Sequence, residues 1–126
     1  MVSWVEVLKR LKEEIDDLSV RCGCMDEAYQ SVAKLELSEL SNPVELDRCS
    51  ACMLREVLNE LQGVVFIPIA GPLTSSELYV LDDVVVEISE DVGHVVEKRC
   101  VQKLIEKLRD LGYEIDDATV AMLTQS

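Results

Sequence analysis

The sequence predicts an α+β chain in which coiled-coil helices flank a small antiparallel sheet of β-hairpins. Three observations carry that expectation. Between Val64 and Lys98 lie four short runs rich in β-branched residues, separated by turn residues, which is the composition of strands joined by hairpins. On both sides of that stretch, apolar residues recur alternately four and three apart, the seam spacing of a coiled coil. No internal repeat or low-complexity linker divides the 126 residues, so the chain reads as one domain, with a helical arm over 3–61, a β region over 64–96 and a returning arm over 97–124.

The first arm carries the clearest pattern. Trp4, Leu8, Leu11, Ile15, Leu18, Cys22, Met25, Tyr29 and Val32 form its seam. Off the seam, Lys9 with Glu13 and Lys12 with Asp16 are oppositely charged i,i+4 pairs. Gly23 lies outside the seam, where it costs about 1 kcal/mol against Ala. The pattern ends at Glu36 and Glu39. It fits a coiled-coil arm and equally an amphipathic helix in a globular core. Ser41-Asn42-Pro43 stops this helix, with Asn42 as a cap and Pro43 as the first residue of a second helix reaching Leu61. Leu46, Cys49, Met53, Val57 and Leu61 give that helix one apolar face. The first arm either folds back at Pro43 or pairs in part with another chain.

Four strands are expected next, at Val64–Ile67, Leu78–Val80, Val84–Ile88 and His94–Val96. Their outer members would present unpaired backbone groups. No Lys lies between Val64 and Glu97, and Pro68, directly after Ile67, is the one proline at an expected strand. Val64, Val65, Ile67, Leu78, Val80, Val84, Val86 and Ile88 are therefore expected to form a surface for oligomerisation. A third helix spans about Glu97 to Leu111, and Val101, Leu104, Leu108, Leu111, Ile115, Ala118 and Met122 continue the three-four spacing. Gly112 can end it, with Asp116 capping a short last helix, or the arm can run on unbroken.

Composition narrows the function. The net charge of −13 opposes binding to nucleic acid, whose affinity rests on phosphate neutralisation, and favours basic partners. No run of 18 or more uncharged apolar residues is present, so no membrane span is expected. With no signal-peptide pattern either, the expected location is the cytoplasm.

Cys22-Gly23-Cys24 and Cys49-Ser50-Ala51-Cys52 form a CxC plus CxxC set. Four thiolates at such spacing can hold zinc tetrahedrally, and Cys49 and Cys52 fall on one helix face. If the two helices pack antiparallel, one of Cys22 or Cys24 comes within bridging range of Cys49 or Cys52. Free buried thiols, a disulfide and a zinc site all remain open; Cys100 stands alone. His94, the only histidine, reads as a solvent-facing strand residue. No glycine-rich phosphate loop or HExxH is present, and no residue pattern supports an enzyme. Trp4, Val5, Met122 and Leu123 are apolar groups near the chain ends that would cap the core.

Two segments carry a family resemblance. Pro72-Leu73-Thr74-Ser75-Ser76-Glu77-Leu78-Tyr79-Val80 resembles the P-L-T-S-S-L-Y-V strand of alpha-class prefoldin subunits, with Glu77 inserted. Val92-Gly93-His94-Val95-Val96-Glu97-Lys98 resembles the closing strand of that family, which leads through V-E-K into the second long helix. The chain departs from the family at Pro43 and in its short returning arm. The resemblance implies a prefoldin-like co-chaperone that assembles with prefoldin-like subunits through its β region and holds unfolded clients at arm tips carrying Trp4, Val5, Met122 and Leu123. Two other readings stand beside it: a small cysteine-containing metal-binding or regulatory α+β protein, and a coiled-coil adaptor for one defined partner.

Overall fold

The computed structural model describes residues 2–125. Its first part is a succession of short helices: α1 (Trp4–Glu13), α2 (Ile15–Arg21) and α3 (Ala28–Leu37). Strand β1 (Val44–Leu46) and helix α4 (Arg48–Glu60) follow. Then come β2 (Val65–Ile69), β3 (Ser76–Val80), β4 (Val84–Ser89) and β5 (Val92–Glu97). A single 3-10 turn over Lys98–Cys100 leads into α5 (Val101–Asp110), and α6 (Asp117–Thr124) ends the chain.

The long first arm does not form. Ser3 caps α1 by accepting from the Glu6 N–H. After α2, Gly23 takes φ +64°, which a side chain would oppose. Its N–H donates to the Val20 carbonyl and the Cys24 N–H reaches back to Ser19, the paired bonds of a Schellman stop. The seam breaks there: Met25 and Tyr29 are 64% and 62% exposed, while Val32 is buried again on α3. The Asn42 cap is also corrected. Val44–Leu46 pairs with β5, placing Val44 opposite Val95 and Leu46 opposite Gly93, and α4 starts instead at Asp47, whose carboxylate accepts the Ser50 N–H.

All four expected strands are present, and β1 adds a fifth; three are longer by one to three residues, and the first runs Val65–Ile69 in place of Val64–Ile67. The sheet is antiparallel throughout, in the order β1-β5-β4-β3-β2. Alternation along the strands divides the side chains between two cores. Tyr79, Leu81, Val84, Val86, Ile88 and Val95 face the helices α1–α4. Ile67, Ile69, Leu78, Val80, Val85 and Val96 face α5 and α6. The strands thus read as continuous apolar runs because both faces are covered.

This corrects the predicted fold class. The molecule is α+β, but a five-stranded sheet sits between two layers of short helices, in place of a small hairpin sheet flanked by coiled-coil arms. The two arms, whose common seam spacing would let them pair with each other, belong to cores on opposite faces of the sheet. Their similar spacing reports only that each has one buried stripe. α5 buries Val101, Leu104, Ile105 and Leu108 and ends at Gly112, φ +95°, where the Tyr113 N–H returns to Leu108. Asp116 then caps α6 through the Thr119 N–H, so the C-terminal segment is broken and not continuous. No helix of the described residues is long and apolar enough to cross a membrane.

Candidate functional sites

Three places concentrate chemistry. The first is the cysteine set. The Schellman stop at Gly23 turns Cys22 and Cys24 toward α4, whose first turns carry Cys49 and Cys52 one helical turn apart. Cys22 is bonded to Cys52 and Cys24 to Cys49, with Cα–Cα distances of 5.9 and 5.8 Å. As disulfides, these sulfurs are not thiolate ligands for zinc. Cys100 is a free, half-buried thiol.

The second is a buried polar cluster on the α5 side of the sheet. Glu87 on β4 pairs across the ladder with His94 on β5. The His94 Nδ1 lies 2.7 Å from one Glu87 oxygen. The Ser76 hydroxyl on β3 donates to the other Glu87 oxygen and lies 3.1 Å from the Ile88 carbonyl. Ser76, Glu87 and His94 are all buried, so the solvent-facing reading of His94 is corrected. The Glu87 carboxylate binds both neighbours, which satisfies a group that would be costly to bury alone. In a serine–histidine–acid triad the histidine must contact the hydroxyl it activates. Here the carboxylate stands between Ser76 and His94, so the cluster has the connectivity of a structural bridge across three strands. Its sequence signal was an acidic residue in the apolar run Val84-Val85-Val86-Glu87-Ile88, with the sole histidine one strand away.

A smaller polar group lies on the other face. The Tyr79 hydroxyl donates to Glu77 at 2.9 Å, and the Arg55 guanidinium lies 3.8 Å from the same carboxylate. Burial, together with the Glu77 carboxylate, pushes the Tyr79 hydroxyl pKa up to about 12.

The third place is a cleft of about 980 Å³. Four segments meet there: the start of α1, the link from α3 to β1, the β3–β4 turn, and the segment from the end of β5 through Arg99, with Thr124 and Gln125 closing one side. Hydrogen bonds donated by backbone N–H groups stitch them together. The Trp4 N–H donates to the Asp83 carboxylate at 2.9 Å, Asp82 N–H to Val2 at 2.8 Å and Glu97 N–H to Leu40 at 2.8 Å. The lining is apolar at Trp4, Leu8, Leu35, Leu40 and Val84. Its exposed carboxylates include Glu36, Glu39, Asp82 and Asp83. Glu36 is paired with Lys12, and Arg99 with Glu97.

The expected site residues fall out as follows. Ile67, Leu78, Val80, Val84, Val86 and Ile88 are buried within the chain, and Val64 is packed against the α1–α4 core. Of the oligomerisation set, only Val65 is exposed, at 47%, beside Phe66 at 49%. The open parts of the sheet are its edges, β1 and β2. Trp4 and Leu123 are core residues, whereas Val5 and Met122 are exposed. Trp4 and Val5 nevertheless line the cleft, and the residues following Leu123 close it. The cleft had no sequence signal because its walls come from segments far apart in the chain. Comparison with family models, curated proteins and solved structures finds no match to this chain.

Proposed function

We propose that the chain is a cytoplasmic binding module that holds an extended segment of a partner polypeptide in the cleft, without a catalytic step of its own. The observation that carries this is the cleft's composition: apolar Trp4, Leu8, Leu35, Leu40 and Val84 together with five carboxylates, Glu36, Glu39, Asp82, Asp83 and Glu97, against two cations, Lys98 and Arg99. Such a surface suits an apolar side chain flanked by basic groups, and the charge of −13 draws basic partners by long-range attraction. The reading keeps the client-holding part of the chaperone expectation, now placed at a cleft where Trp4 and Val5 stand near the C-terminal residues Thr124 and Gln125. Assembly with like subunits, in the same reading, is confined to the β1 and β2 edges, where Val65 and Phe66 are half-exposed.

Trp4 is the only tryptophan and lines the cleft, so it reports on binding directly. The test is a fluorescence titration with two peptides of equal apolar content, one with flanking lysines and one with flanking glutamates. The basic peptide is expected to bind saturably and more weakly as salt rises, and Asp82→Lys is expected to reduce that binding. Equal response to both peptides, or none to either, overturns the reading. Suppressed aggregation of a denatured client, lost in the same variant, extends it to client holding.

A further inference from the structure

We propose that the four cysteines have a second, reduced state in which Cys22, Cys24, Cys49 and Cys52 together form a tetrathiolate site for a zinc-class divalent cation. The argument starts from the Cα positions. Two sides of the four-residue figure are the cross-helix distances, 5.9 and 5.8 Å. The third is the Cys49–Cys52 separation on α4, about 5 Å from the rise and radius of an α-helix. The fourth spans Cys22 to Cys24 around Gly23, at most about 7 Å for two residues of chain. The two disulfides are therefore neighbours, and four side chains enter one small volume.

A tetrahedral site needs sulfur–sulfur distances of about 3.8 Å, given metal–sulfur bonds of about 2.3 Å. Once the S–S bonds are broken, side-chain rotation opens that spacing with the backbone held where it is. Each side of the site also has local bonds of its own, the Schellman bonds at Gly23 on one side and the Asp47 cap of α4 on the other. Cys49 and Cys52 lie in the first turns of a 13-residue helix, where the dipole favours thiolate over thiol. Cys24 and Cys49 are almost fully buried, while Cys52 is partly open and gives the ion an entrance. Most cytosols keep thiols reduced, so in the location proposed above this is the state the chain would hold.

The chemistry balances with a phosphine reductant. Each S–S bond breaks as one phosphine takes the oxygen of one water to become its oxide, leaving two thiols. Two disulfides consume two phosphines and two waters. Binding of the dication then forms four metal–sulfur bonds and releases four protons, one from each thiol.

The experiment reduces the intact chain with a phosphine under argon and titrates it with Co²⁺, then Zn²⁺. One Co²⁺ per chain is expected, with the intense thiolate-to-cobalt absorption of a tetrahedral site, displaced by Zn²⁺. With metal present, alkylation is expected to label Cys100 and spare the other four. Cys52→Ser is expected to weaken binding by at least about 100-fold, since loss of a group that only supports a ligand already costs roughly 10–100-fold. If the reduced chain unfolds, recovery of its circular dichroism on adding Zn²⁺ supports the site, and failure to recover overturns it. Absence of the cobalt band, or equal labelling of all five thiols in the presence of metal, also overturns it.

Discussion

The two helical layers that cover the sheet are held in different ways. The α1–α4 layer packs helix on helix, with α4 against α1, α2 and α3, and two disulfides fasten the end of α2 to α4. The α5–α6 layer has no cross-link among the described residues. α5 lays one apolar stripe on the sheet, and α6 buries little beyond Leu123. A thick layer of short helices has several mutual orientations available, and cross-links select one. A single amphipathic helix on a flat apolar face needs only its stripe. The cleft forms where the fastened layer meets the C-terminal end, so its shape depends on the first layer being fixed.

The largest expected effect tests whether both layers belong to one cooperative unit. Leu11 on α1 and Leu104 on α5 are fully buried. Leu11→Asp and Leu104→Asp each bury a charge without a partner and are expected to cost on the order of 4 kcal/mol or more. The readout is the denaturant midpoint. An unchanged midpoint for either variant would mean that its layer does not pack as described.

Next come the cross-links. Closing the 25-residue separation between Cys24 and Cys49 restricts the unfolded chain by about 3.5 kcal/mol in the chain-entropy treatment. The Cys22–Cys52 bond spans 30 residues around the same loop, so it adds much less once the first is in place. Replacing either pair by Ala is expected to cost little, and replacing both to cost most of that figure. Hydrogen exchange is expected to quicken in α2 and α3 ahead of α5. Two single losses as large as the double loss would show that the bonds are not redundant.

These contrasts also explain what the sequence conveyed. Four strands were legible because Val, Ile and Tyr runs between Gly, Pro and Asp are distinctive, and the cysteine spacing placed the two pairs within reach. The α5 stripe was legible in part for the same local reason, at Val101, Leu104 and Leu108, whereas Leu111, Ala118 and Met122 of the expected seam are exposed, and the Asp116 cap was one of two open alternatives. What failed was non-local. A three-four spacing identifies a buried stripe but not what buries it, so two helices on opposite faces of a sheet looked like partners. Gly23 read as a tolerated interruption, whereas its positive φ divides the first arm. Three residues, Val44–Leu46, are too few for a strand pattern, and Asn42-Pro43 offered a cap signal stronger than that of Asp47. The Glu87–His94 contact was hidden because register across strands is set by the whole sheet.

An alkaline test distinguishes the layers further. Tyr79 faces the α1–α4 core, and its hydroxyl pKa is raised from 10.0 to about 12, first by burial and then by the Glu77 carboxylate. The fold therefore favours the neutral phenol. That contribution is fully present below pH 10 and is lost as the pH climbs through 12. Stability is expected to fall across this window more steeply in the wild-type chain than in Tyr79→Phe. Parallel curves would show that the hydroxyl ionises as freely in the folded chain as in the unfolded one.

The smallest effect compares two helix caps. Asp47 caps α4 in the fastened layer, accepting the Ser50 N–H at 2.7 Å, with the Ser31 hydroxyl at 3.1 Å and the Lys34 ammonium at 3.8 Å. Asp116 caps α6 in the other layer through the Thr119 N–H at 2.8 Å. Asp47→Ala removes a cap that also joins α3 to α4, and is expected to lower global stability by about 1–2 kcal/mol. Asp116→Ala frees a helix that buries chiefly Leu123, so the loss should be local: faster amide exchange over Val120–Leu123 with a nearly unchanged midpoint. The Thr119 N–H holds the Asp116 carboxyl below its usual pKa of 3.8. Its capping contribution is therefore complete above pH 3.8 and fades as the pH falls through the lowered value. Acid should lower the protection of the α6 amides, taken relative to their intrinsic exchange rates, in the wild-type chain, while in Asp116→Ala that protection is low at every pH. If Asp116→Ala instead shifts the midpoint as far as Asp47→Ala, the C-terminal layer folds as tightly with the sheet as the cross-linked one, and the contrast between them is one of construction and not of cooperativity.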